Sequence, residues 1–117
     1  MIAFASRTGN VRHIVNRLAL PSVDIKQEGE IHEPFLLFTY TDKLGAVPVV
    51  VSEFMERNHA LCKGVIVSGN MNYGHANFGG AGDKLSKQYN IPLVCKIDVR
   101  GNDKDDQAIK EYYEVAI

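Results

Sequence analysis

The sequence predicts a doubly wound α/β fold: a five-stranded parallel sheet in the order 2-1-3-4-5, covered by helices in a three-layer α/β/α sandwich. Three observations predict it. The apolar runs are continuous, as in strands buried on both faces, and do not alternate with polar residues. Segments with helical spacing separate them. The 117 residues hold five such runs, which suits one domain spanning residues 1–117.

Ile2–Ala5 is a short apolar run that ends at polar Ser6 and reads as a buried strand. Val11, Ile14, Val15 and Leu18 then lie on one helical face, and Leu20-Pro21 ends that helix. Val23–Lys26 is a short second strand at an edge, followed by the polar turn Gln27–Glu33. Pro34–Tyr40 is a strong buried strand and Thr41–Ala46 a loop. Pro48 suits a first helical position. Val47, Val50, Val51 and Phe54 take helical spacing, and the polar residues among and after them favour helix over strand. Lys63–Ser68 is the fourth strand. Gly69–Gly82 is rich in glycine and asparagine and reads as a long loop, with helix resuming at Asp83–Tyr89. Pro92–Ile97 is the last strand. Asn102-Asp103 caps a final helix with Asp105 and Asp106 in its first turn.

Bulk properties exclude several classes. Net charge is −1, which opposes a basic nucleic-acid surface and a strongly acidic carrier that docks by long-range charge. No apolar run approaches the roughly 18 residues of a membrane helix, and the short apolar start Met1–Ala5 lacks the pattern of a signal peptide. A cytoplasmic location without membrane partner is the expectation. Cys62 and Cys95 form no C-x-x-C pair and read as small buried hydrophobes. His13, His32, His59 and His75 show no metal-ligand spacing, so no metal site is expected.

In a doubly wound sheet ligands bind beyond the C-terminal ends of the strands, where strand order reverses. This places Ser6–Val11, Thr39–Val47 and Ser68–Gly80 at one rim. The first loop, Ser6-Arg7-Thr8-Gly9-Asn10, runs from strand directly into helix. A helix N-terminus offers unpaired N–H groups and partial positive charge, Gly9 permits a close turn around an anion, and Ser6, Thr8 and Asn10 add short polar side chains. The loop is suited to a phosphate held without a metal. It is neither G-x-x-x-x-G-K nor G-x-G-x-x-G, which disfavours a nucleoside triphosphate or a dinucleotide. The plainer alternative is a turn with Asn10 as helix cap. Arg7 is open between phosphate and solvent.

The second and third loops combine aromatics, amides and glycines, as a flat heterocycle requires. Tyr40, Tyr73 and Phe78 are candidate stacking surfaces. Asn70, Asn72 and the backbone around Gly45 and Gly74 are candidates for polar ring edges. Equally, Tyr40 and Phe78 could pack into the core rim while the glycines serve turns. The length of the third loop favours function, and His75 is open between exposure and contact with a ligand or partner.

Phe4-Ala5-Ser6-Arg7-Thr8-Gly9-Asn10, Gly45-Ala46-Val47-Pro48, and Gly64–Gly74 running on to Ala81-Gly82-Asp83 resemble the NrdI family. These are flavodoxin-like FMN proteins that work with class Ib ribonucleotide reductase. The S-x-T-G-N cradle is general to flavodoxins, whereas Gly-Ala-Val-Pro and Ser-Gly-Asn-x-Asn point to NrdI. The resemblance implies that Ser6, Arg7, Thr8, Gly9, Asn10 and Val11 hold the FMN phosphate. It places Thr39, Tyr40, Gly45, Ala46, Asn70, Asn72, Tyr73, Phe78 and Gly79 around the isoalloxazine ring. Val11 stands where many flavodoxins carry a hydroxyl, and Thr41–Leu44 lacks the longer glycine-rich run of many relatives. Gly45 is expected beside the flavin N5 edge. There a peptide flip would present N–H to the oxidised ring and C=O to the protonated one.

The resemblance further implies that the reduced protein turns dioxygen into a superoxide-type oxidant. This oxidant serves the dimanganese site of the small subunit NrdF, where it generates a tyrosyl radical. A flavin-reducing electron donor is the second implied partner. A plain electron-transfer flavodoxin would share the fold and the cofactor. A phosphoacceptor domain would need an acidic pair after strand one, and a low-molecular-weight phosphatase a Cys-led phosphate loop with Arg; neither is present. An interaction domain without chemistry is the remaining class.

Overall fold

Successive side chains on a strand point to opposite faces, so each continuous apolar run supplies two cores. In this computed structural model, which describes residues 1–71 and 78–117, the strands are β1 (Ile2–Phe4), β2 (Ser22–Asp24), β3 (Phe35–Tyr40), β4 (Cys62–Gly69) and β5 (Leu93–Asp98). They form one sheet in the order β2-β1-β3-β4-β5, and every pair is parallel. The central strand β3 pairs with β1 at Leu37 opposite Ala3 and with β4 at Leu37 opposite Val65.

The helices are α1 (Asn10–Leu18), α2 (Val49–Asn58), α3 (Gly80–Tyr89) and α4 (Asp103–Ala116). Phe35, Leu37, Ala3 and Val65 face a core closed by Val51, Phe54 and Met55 of α2 and Leu85 of α3. Leu36, Phe38, Ile2, Phe4 and Ile66 face the other core, closed by Val11, Ile14, Val15 and Leu18 of α1 and Ile109 of α4. Each of these side chains larger than alanine contributes roughly 1.5–3 kcal/mol when fully buried. The buried Asn58 amide accepts from Ile31 N–H at 2.9 Å and donates to Gly29 C=O at 3.0 Å and Phe54 C=O at 2.9 Å, tying the polar segment before β3 to α2.

Several boundaries differ from the sequence expectation. The edge strand β2 begins at Ser22 and ends at Asp24. Pro48 precedes the helix as its N-cap, because its ψ of 139° is extended. Asn10 is the first helical residue of α1, not its cap; Gly9 takes that position with φ +94°. The helix read from Asp83 begins at Gly80. Glycine is a poor helix former, but here it lets the helix approach the sheet: a Cβ on Gly82 would lie 2.7 Å from Val67 Cγ1 and 2.8 Å from Leu93 Cδ1. Cys62 is buried as expected, whereas Cys95 is half-buried. Among the described residues no helix is long and apolar enough to cross a membrane.

Candidate functional site

Because the strands are parallel, the loops that follow β1, β3, β4 and β5 gather at one rim. A cleft of about 700 Å³ opens there, within the range of small-molecule sites. Ser6, Arg7, Thr8, Asn10 and Val11 line one end. The N-cap of α1 is Gly9, which has no side chain to cap the helix, and no acidic residue occupies its first turn. Ser6 Oγ accepts a long bond from the N–H of Arg12, the third residue of the helix, at 3.3 Å. α4 shows the contrast: Asn102 and Asp105 form a capping box, and Asp103, Asp105 and Asp106 fill its first turn. The partial charge at α4 is met by carboxylates of its own chain, while none meets that at α1, where an anion would be favoured.

The second loop is a tight turn. Asp42 N–H donates to Ala46 C=O at 2.9 Å, Gly45 N–H to Asp42 C=O at 3.1 Å and Ala46 N–H to Lys43 C=O at 3.2 Å. Leu44 (φ +58°) and Gly45 (φ +76°) make the reversal, and both line the cleft. Leu44 is 84% exposed, Gly45 buried. Ala46 lies behind them, in the bridge to Asp42. Thr39 is buried within β3 and donates its hydroxyl to Tyr40 C=O at 2.8 Å. Tyr40 lines the cleft. Arg7 carries its guanidinium 5.0 Å over the Tyr40 ring and bonds Asp42 Oδ1 at 2.6 Å, strapping the first loop to the second. Burial raises the Tyr40 phenol pKa, Asp42 raises it further and Arg7 opposes, so the phenol stays neutral near pH 7.

Ser68, Gly69 and Asn70 form the wall from β4. Phe78 packs against Gly69, where a Cβ would meet its ring at 3.3 Å, and Gly79 caps α3 with φ +64°. Asn72, Tyr73, Gly74 and His75 lie outside the described residues. Thr41, Asp42, Lys43, Leu44, Ser68, Gly69 and Val99 also line the cleft, and sequence reasoning did not single them out as site residues. Val99 follows β5, and the rule that gathers loops at one rim covers that loop too. Among the described residues, four non-glycine residues have positive φ. Ala19 and Asn90 are ordinary helix C-caps; Leu44 and Val99 both sit in the cleft wall, where backbone strain often accompanies ligand sites.

Thr41 also lines the cleft, and its Oγ1 is buried without a hydrogen-bond partner. An orphan of this kind costs about 1–3 kcal/mol, which a polar ring edge can recover. A helix N-terminus free of carboxylates at one end and an unsatisfied hydroxyl beside an aromatic wall at the other fit a phosphate-bearing flat heterocycle. Thiol chemistry does not fit: burial pushes the Cys62 thiol up to about 11, and burial followed by Asp105 does the same to Cys95. Among the described residues no cluster of His, Cys, Asp and Glu could hold a metal.

The strand order and the layers define a flavodoxin-like fold. Two solved structures share the fold. A Streptococcus pneumonia TIGR4 flavodoxin matches with a TM-score of 0.70 and 20% identity, over 97% of this chain and 93% of that one. A short-chain flavodoxin associated with a non-canonical PDU bacterial microcompartment matches with a TM-score of 0.69 and 18% identity, over 98% and 93%. The family model described as NrdI flavodoxin like matches residues 2–111. The chain belongs to the NrdI flavodoxin-like family, and its cofactor is FMN.

If Thr8 donates to the phosphate, Thr8→Val weakens FMN binding roughly ten- to a hundredfold and leaves riboflavin binding unchanged, because hydrogen bonds to charged groups are worth about 1.5–3 kcal/mol. Parallel titrations with the two flavins check this; equal losses would assign Thr8 to loop shape.

Proposed function

We propose that the protein activates class Ib ribonucleotide reductase by reducing dioxygen to a superoxide-type oxidant for the dimanganese site of the small subunit NrdF. The observation that carries this reading is the family match over residues 2–111. The NrdI family is associated with ribonucleotide reductase. The net charge of −1 supports it against a carrier steered by strong charge. Bound FMN supplies electron transfer and, when reduced, reaction with dioxygen. A separate flavin-reducing donor supplies the electrons.

The chain's own residues take three roles. The α1 N-terminus with Ser6, Thr8 and Asn10 holds the phosphate. Tyr40, under Arg7, offers an aromatic wall, and Thr41 a hydroxyl. Gly45 answers the change in protonation at the ring edge. Leu44 and Gly45 line the cleft and Ala46 does not. Moreover, a Cβ on Gly80 would lie 2.8 Å from Gly45 O, so the Gly45–Ala46 peptide is confined by α3. The Leu44–Gly45 peptide is therefore the one assigned to turn, exchanging the bond from Gly45 N–H to Asp42 C=O.

The test mixes reduced protein and dioxygen with manganese-loaded NrdF and reads the tyrosyl radical by paramagnetic resonance. Radical is expected with this protein and not with dioxygen alone. Radical from a free superoxide-generating system, with none from this protein, would make it a plain electron-transfer flavodoxin.

A further inference from the structure

We propose that Arg100, on the loop between β5 and α4, supplies the positive charge for the FMN phosphate and selects FMN over riboflavin. This rests on FMN binding and is independent of the oxidant-delivery role.

The other arginines near this end of the sheet are committed. Arg7 pairs with Asp42 at 2.6 Å, Arg12 with Asp24 at 2.8 Å and Arg17 with Asp106 at 2.6 Å. Arg100 has no carboxylate partner among the described residues. Its Nε donates instead to Asn10 Oδ1 at 3.1 Å. Asn10 is the first residue of α1 and lines the cleft. A guanidinium is thus held beside a helix end that already carries partial positive charge. The two repel unless an anion joins them. A phosphate does so, and the planar guanidinium fork matches its oxygens.

The placement of Arg100 is enforced from both sides. Arg17 Nη2 donates to Arg100 C=O at 2.7 Å, while Asp106 holds the same guanidinium through bonds of 2.6 and 2.8 Å. On the other side Val99 is kept at φ +57°, a conformation β-branched residues avoid. Its N–H donates to Gly69 C=O at 2.7 Å and its C=O accepts from Ser68 Oγ at 2.6 Å. The strained residue lies in the cleft wall and aims the next residue at the first loop. A merely solvated arginine would require none of this.

The experiment titrates the full-length apoprotein with FMN and with riboflavin, at low and high salt, for wild type, Arg100→Gln and Arg100→Lys. The Arg100 side chain is exposed, and glutamine keeps a donor for Asn10 while removing the charge. Arg100→Gln is expected to weaken FMN about tenfold or more, with riboflavin within about twofold of wild type. Its FMN affinity should also depend less on salt than that of wild type, and Arg100→Lys should recover part of the loss. Equal losses for both flavins, or none for either, overturn the proposal. A wild-type protein that binds neither flavin overturns the FMN assignment itself and this proposal with it, whereas a failed radical assay beside intact FMN selectivity overturns only the oxidant role.

Discussion

Gly80→Val is expected to lower stability by roughly 1–3 kcal/mol, the usual cost of overpacking. It should also weaken FMN binding by about tenfold, the equivalent of about 1.4 kcal/mol of that strain. A Cβ at Gly80 would lie 2.8 Å from Gly45 O and 2.9 Å from Gly45 Cα. Both are backbone atoms, so no side chain can rotate out of the way. Either the second loop shifts toward the cleft or the N-terminus of α3 leaves the sheet. Gly29→Val is the control, because nothing lies within 4 Å of a Cβ there. Flavin titration and urea unfolding of both variants check the expectation. A Gly80→Val protein with wild-type FMN affinity would show that the second loop yields without disturbing the cleft.

Phe54→Ala is expected to have the largest effect on stability, about 3–5 kcal/mol. Phe54 is 1% exposed and meets Phe35 edge to face, with centroids 5.8 Å apart and planes at 72°. It joins α2 to the central strand, below the second loop. The urea midpoint should fall with little change in slope, as it does when stability changes and the exposed surface does not. Saturation with FMN at about a hundred times its Kd should restore about 2.7 kcal/mol, because the ligand binds only the folded chain. A loss below about 1 kcal/mol would mean that α2 is not packed on β3 as described.

The strands were legible because parallel strands buried on both faces leave continuous apolar runs, as Pro34–Tyr40 does. The last helix was legible because its cap is local: Asn102 accepts from the N–H groups of Lys104 and Asp105. The start of α3 was not legible. Gly80–Gly82 reads as loop by propensity, and only the close approach to Val67 explains why it is helix. That Ser6, Arg7, Thr8, Asn10 and Val11 reach the cleft was legible because one segment following β1 carries them all. The partner of Arg7 was not, since Asp42 comes from a different loop. Val99 gave no signal either: its left-handed backbone is fixed by Ser68 and Gly69, far away in sequence. Thr41 stands out only once its hydroxyl is found without a partner.

The most direct test of the account is the absorption spectrum of the purified protein, followed by identification of what denaturation releases. A yellow protein that releases about one FMN per chain, unmodified, is the predicted result, since the rim cleft of about 700 Å³ suits one flavin mononucleotide. A colourless protein that takes up no added FMN, or one that binds FAD in preference, would contradict it.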